Sequence, residues 1–81
     1  MKSVYIKLIT IEDVYTLVKM LMTFDGEVNL ESGRYKVDGR SLLGIFSLDL
    51  TKPVKLIFHD ENKADELFAR LNKYVVEAPE A

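Results

Sequence analysis

The hydrophobic period of this chain switches repeatedly between two and the helical value. That switching restricts the fold more than any single motif does. Val4, Ile6 and Leu8 alternate with Tyr5 and Lys7, which predicts a half-buried strand over residues 2–9. From Ile11 the period becomes helical: Ile11, Val14, Leu17, Val18, Leu21 and Met22 predict a helix over 11–23 that stops before Asp25-Gly26. Thr10, with Asp13 three residues on, is a capping-box pattern in which aspartate replaces the more usual glutamate or glutamine. Glu12 and Asp13 also suit the positive end of the helix dipole.

Glu27 to Glu31 reads as a short strand with Val28 and Leu30 on one face. Ser32-Gly33 is a two-residue turn, and Arg34 to Val37 returns with Tyr35 and Val37 facing inward. An Asp38-Gly39 turn then delivers Ser41, a good N-cap, to a short helix over 42–48. After the loop Thr51-Lys52-Pro53, the residues Val54, Leu56 and Phe58 alternate with Lys55, Ile57 and His59 as a fourth strand. Asp60 or Asn62 caps a last helix over 62–76, whose stripe is Ala64, Leu67, Phe68, Leu71, Tyr74 and Val75. The order βαββαβα predicts one α+β domain over 1–77, with 78–81 a frayed tail.

The expected architecture is an open-faced two-layer sandwich, with a four-stranded, mainly antiparallel sheet and three helices on one face. The other face would carry Tyr5, Lys7, Asn29, Lys36, Lys55 and Ile57 to solvent. The ferredoxin-like order βαββαβ is the nearest rival. Here the second helix is too short to be its crossover partner, and a long helix follows the last strand.

Composition narrows the function. With 81 residues and no cysteine, the core holds the fold without disulfides or thiolate metal sites. The net charge is −2 with both signs interspersed, and no basic block points to nucleic acid. No apolar run is long enough for a membrane span. The first residues open on a strand pattern without the apolar region of a signal peptide, so a soluble, cytoplasmic protein is expected. His59 is the only histidine. It reads as a surface residue on the solvent side of the fourth strand, and Asp60 and Glu61 beside it read as a cap and first-turn acids. No metal or other cofactor is expected.

The short helix stands out. Leu42, Leu43, Ile45, Phe46 and Leu48 lie all round it, whereas so small a helix buries only one stripe. Ile45 and Leu48 suit the core, and the remainder suits a docking surface for a protein partner.

The run Arg40-Ser41-Leu42-Leu43-Gly44-Ile45-Phe46-Ser47-Leu48, in this element order, resembles the phosphocarrier protein HPr of the sugar phosphotransferase system. The match is strongest from Val28-Asn29-Leu30-Glu31 to Asn62, and the element order extends it over the whole chain. The resemblance implies two sites. One is a phosphocarrier histidine at the start of the first long helix, followed two residues later by arginine and then proline. Those positions fall on Thr10, Glu12 and Asp13, so all three are lost. A carrier needs a nucleophilic imidazole and cations or donors for phosphate. Thr10 offers a weakly nucleophilic hydroxyl and the two acids oppose a dianion. Thr10 therefore reads as a plain cap.

The other implied site is a regulatory serine at the N-cap of the short helix, which falls on Ser41 with Arg40 beside it. The partner-docking positions implied by the family are Arg40, Leu42, Leu43 and Phe46. The expectation is a non-enzymatic regulatory or docking protein, similar to catabolite-repression relatives that keep the serine and lack the histidine. Its partners would be an HPr serine kinase, a transcriptional regulator or a phosphotransferase-system enzyme. Asp49 and Pro53 depart from the family pattern, which has small residues there. Two alternatives stand beside this expectation. One is a phosphocarrier that uses a non-standard residue such as His59. The other is an adaptor domain with no phosphorylation role.

Overall fold

The structure is a computed structural model that describes residues 2–60 and 64–78. Its elements are β1 (Lys2–Ile6), α1 (Ile11–Leu21), β2 (Val28–Ser32), β3 (Tyr35–Asp38), α2 (Leu42–Phe46), β4 (Val54–Phe58), α3 (Ala64–Leu71) and β5 (Val75–Val76). A single 3-10 turn, Asn72–Tyr74, links the last two. Residues 61–63 and 79–81 lie outside the described residues, so the expected cap at Asn62 and most of the expected tail fall there too.

The sheet order is β3-β2-β4-β1-β5, and every neighbouring pair is antiparallel. The architecture is thus the expected α+β layer of helices on one open sheet, with five strands in place of four. The difference lies at the end of the last helix. Residues 72–76 were expected to continue it. The helix closes instead at Leu71, and the β-branched pair Val75-Val76 turns out to lie beside β1, with Ile6 opposite Val75 and Tyr5 opposite Val76. A bond from Lys7 N–H to Tyr74 O (2.9 Å) fastens this return.

The register sorts the side chains. Val4 lies opposite Leu56, Ile6 opposite Val54 and Leu30 opposite Leu56, so these residues share the helix-facing side. There they join Val14, Leu17, Leu21, Ile45, Leu67 and Leu71 in one core. Phe58 is fully buried between two edge-to-face rings, Phe24 at 5.0 Å and Phe68 at 5.1 Å between centroids. On the open side a row of Lys36, Glu31, Lys55 and Tyr5 crosses four strands with alternating charge. Ile57 was expected on this side in solvent, yet it is only 7% exposed. It sits mid-strand in the central β4, with Asn29 and Ser3 opposite it and Lys55 and His59 two residues away along the strand. The stems of such neighbours cover it.

The β2–β3 turn is Gly33-Arg34, closed by the pair Ser32 and Tyr35, one residue later than expected. Gly33 takes it at φ +59°, a conformation glycine adopts without strain. Tyr35 was expected to face inward. It points to the helix side but beyond the core, and is 72% exposed. The first strand also stops early, at Ile6, and Leu8 reaches the core from the following loop. Lys2 pairs with Asp65 and lies over the Phe68 ring, tying β1 to the start of α3.

Candidate functional site

The N-terminal end of α1 and the short α2 lie side by side, and Tyr15 meets Phe46 edge-on at 6.4 Å between ring centroids. At the head of α1, Thr10 is the N-cap, in extended conformation with φ −118°. Thr10 Oγ1 accepts a hydrogen bond from Asp13 N–H (3.1 Å). Asp13 Oδ2 accepts in return from Thr10 N–H (3.1 Å) and also from Ile9 N–H (2.9 Å). The capping box read from sequence is therefore complete and one donor wider than usual. These bonds, first from Ile9 and then from Thr10, hold the Asp13 carboxyl below its ordinary value of 3.8. Two of the backbone donors at this end, the Ile9 and Thr10 N–H groups, thus already have a carboxylate bound to them.

Ser41 caps α2, its Oγ accepting from Gly44 N–H (3.1 Å). Gly44 allows the close approach of α2 to β3: a Cβ at this position would lie 3.1 Å from both Val37 Cβ and Ser41 Oγ. Ser41 is half-buried, and no acid or base lies in the first turn of α2 apart from what the preceding loop supplies.

Arg40 does something the sequence did not announce. Its Nε donates to Leu21 O (3.1 Å), and one terminal nitrogen donates to Phe24 O and to Gly26 O (2.6 Å). Its own N–H donates to Asp38 Oδ1 (2.8 Å). The guanidinium thus gathers three carbonyls at and beyond the C-terminal end of α1, where the helix dipole favours a cation. The family resemblance would set this side chain at the docking face, whereas its donors are turned into the fold.

The remaining short-helix residues divide. Ile45 is fully buried and Leu48 nearly so, whereas Leu42 is half-buried and packs on the core. Leu43 is 86% exposed and Phe46 42% exposed. Beside them on the α1 side stand Ile9, Ile11 and Tyr15, all exposed. Ile11 belongs to the predicted apolar stripe of α1, yet as the first residue of the helix it is 64% exposed. Ile9, in the loop before the cap, gave no periodic signal at all.

His59 stands apart from both helices. Its Nε2 lies 2.8 Å from Asn29 Oδ1 and 3.2 Å from Glu27 Oε2. Both partners are acceptors, so the ring proton sits on Nε2. The residue is half-buried rather than free in solvent as expected. Among the described residues, no three His, Cys, Asp or Glu side chains come together in a way that could hold a metal ion. Nor is any described helix long and apolar enough to cross a membrane.

No protein-family model matches the sequence, and no curated protein does. Among solved structures, the fold is similar to the crystal structure of HPr-C-His from Thermoanaerobacter tengcongensis. The TM-score is 0.75 at 22% sequence identity, over 91% of this chain and 91% of that one. The chain therefore has the HPr fold, as the resemblance of its sequence implied.

Proposed function

We propose that this protein is a regulatory docking module built on the HPr fold, one that does not carry phosphate on histidine and is switched by phosphorylation at Ser41. The observation that carries this reading is the occupation of the α1 N-terminus by Asp13. A phosphocarrier needs open donors and cations at that end, with a nucleophilic imidazole among them. Here Thr10 stands at the cap, the Ile9 and Thr10 amides already serve a carboxylate, and Glu12 adds a second negative charge in the first turn. Docking falls to Leu43 and Phe46, with Ile11 and Tyr15 of α1 extending the same apolar surface. The natural partners are proteins, either of the phosphotransferase system or a transcriptional regulator.

Intact mass after two separate incubations tests this reading. One incubation holds phosphoenolpyruvate and enzyme I, and the other ATP and the HPr serine kinase. A phosphate gained only in the second, and lost in Ser41→Ala, is the expected result. A phosphate gained in the first would overturn the reading and direct attention to His59. If neither adds mass, the serine switch is lost and the docking role stands alone.

A further inference from the structure

A groove beside the α1 cap shares Ile11 and Phe46 with the proposed docking surface. Four separate segments of chain form it: the loop after β1, the first turns of α1, the end of α2 and the loop before β4. Its floor contains Leu8 and Val14, both buried, and its rim contains Ile9, Ile11, Phe46 and Leu50. Its volume is about 670 Å³, inside the range of roughly 300–1,000 Å³ usual for small-molecule sites. Such sites are mainly apolar with a few polar groups that orient the ligand, and the polar side chains among the lining residues are Lys7, Thr10 and Thr51.

The free hydrogen-bonding capacity of these groups is on the donor side. Lys7 Nζ donates to Leu50 O (3.0 Å), which leaves two of its three N–H groups, and no carboxylate among the described residues lies within ion-pair distance of it. Thr10 Oγ1 accepts from Asp13 N–H, and its hydroxyl also faces the Asp13 carboxylate, which it helps to keep ionised. Thr51 directs its hydroxyl to Asp49. The two acids nearby do not line the groove, and both are held ionised by donors of their own loops. Asp13 is held by the Ile9 and Thr10 amides, and Asp49 first by the Thr51 hydroxyl and amide, with smaller contributions from the charges of Lys52 and Lys7, neither of them within ion-pair distance. With both threonine hydroxyls turned to carboxylates, Lys7 is the group that can meet a ligand, and a cation on an apolar trough asks for an apolar body with one anionic, acceptor-only end.

We propose that this groove binds a small apolar carboxylate of the medium-chain fatty-acid class. The chain would lie along Leu8, Val14 and Phe46, and the carboxylate would meet Lys7. The inference does not depend on the regulatory reading of Ser41, and its test involves neither kinase nor enzyme I.

The test is an amide chemical-shift titration of the full chain with sodium octanoate below its micelle concentration, against 1-octanol and sodium butyrate. Octanoate is expected to give saturable shifts centred on residues 7–11, Val14, Phe46, Leu50 and Thr51. The alcohol lacks the charge and butyrate lacks the chain, so both should bind at least about tenfold more weakly, the size of one charge-assisted hydrogen bond. Lys7→Met keeps the apolar stem and should weaken octanoate by a similar factor while leaving octanol unchanged. Ile9→Glu, at a rim position 79% exposed and so tolerant of the change, should weaken octanoate alone by placing a like charge at the mouth. Well-dispersed spectra of both variants establish that they are folded. Absence of saturation, shifts centred elsewhere, equal binding of octanol, or undiminished binding by both variants would overturn the proposal.

Discussion

Thr10 and Asp13 bind each other twice across the first turn of α1: the Asp13 N–H donates to the Thr10 hydroxyl oxygen and the Thr10 N–H donates to the Asp13 carboxylate, both at 3.1 Å. This reciprocal pair places a negative charge at the end of the helix where a phosphate would need cations and open donors. Thr10→Ala removes one half of the pair and leaves the carboxylate half, so a loss of about 1 kcal/mol is expected. Urea unfolding of the variant checks it.

Asp13 gives the pair a pH dependence whose sign is fixed. Its folded carboxyl is held below 3.8, mainly by the Ile9 and Thr10 amides, while the unfolded chain titrates at the ordinary value. The pair therefore stabilises the protein fully above the unfolded pKa and loses that contribution as the pH falls through the folded one. Asp49, lowered by the Thr51 hydroxyl and amide, acts in the same direction. Thermal unfolding between neutral pH and pH 2 should show a smaller acid loss in Asp13→Asn than in the parent chain, and smaller again when Asp49→Asn is added. An unchanged acid limb in the double variant would contradict the assignment.

Thr10→His alone is expected to leave the chain unable to accept phosphate from enzyme I. The imidazole would arrive at a helix end whose donors still face Asp13 and whose first turn still carries Glu12. Intact mass after incubation with phosphoenolpyruvate and enzyme I reads the outcome. Phosphate on the single variant would mean that the carboxylates are no barrier.

Arg40→Met keeps the stem and removes the donors to Leu21, Phe24 and Gly26. Hydrogen bonds to a charged group contribute about 1.5–3 kcal/mol, and Leu21 and Phe24 are buried, so a net loss of about 2 kcal/mol or more is expected. Amide exchange should accelerate first at the end of α1 and in the loop to β2. Arg40→Lys should recover only part, because an ammonium lacks the fork that spans three acceptors.

Leu43→Asp with Phe46→Asp is expected to separate docking from folding. Leu43 is almost wholly in solvent, and such positions change stability by about 0.5 kcal/mol or less. Phe46 gives up its contact with the Tyr15 ring and costs somewhat more. The double variant should still fold by circular dichroism and fail to bind the protein partner. Retained binding would move the docking surface away from α2.

The parts of this fold that announce themselves in sequence are those where one period holds without competition. The alternation through β1 and β4, the stripe of α1 and the cap at Ser41 are all of that kind. The end of α3 was misread because Leu71, Tyr74 and Val75 satisfy helical spacing equally well as a stripe and as the approach to a strand. What decides between them is Ile6, nearly seventy residues away, which stands opposite Val75. Tyr35 failed for a different reason. Alternation gives its side of the sheet, but not whether the helix layer extends far enough to cover it. Arg40 was legible as a cation next to a cap, while its bonds to the α1 end depend on two distant segments meeting. The same holds for the groove, whose walls come from four stretches of chain and whose rim residue Ile11 looks in sequence like ordinary core, while Ile9 belongs to no apolar stripe.

The order β3-β2-β4-β1-β5 leaves the sheet with two borders that are poor templates for another strand. At one border β3 is four residues long, with Lys36 and Asp38 of opposite sign pointing off the open side, so a strand seeking to extend the sheet must match both charges. At the other, β5 has two residues, too few for a stable ladder, and it covers part of β1. Without β5, the apolar, alternating β1 would itself be the border. The short return at Val75-Val76 therefore protects the chain against edge-to-edge aggregation, and its loss would show first in solubility at high concentration.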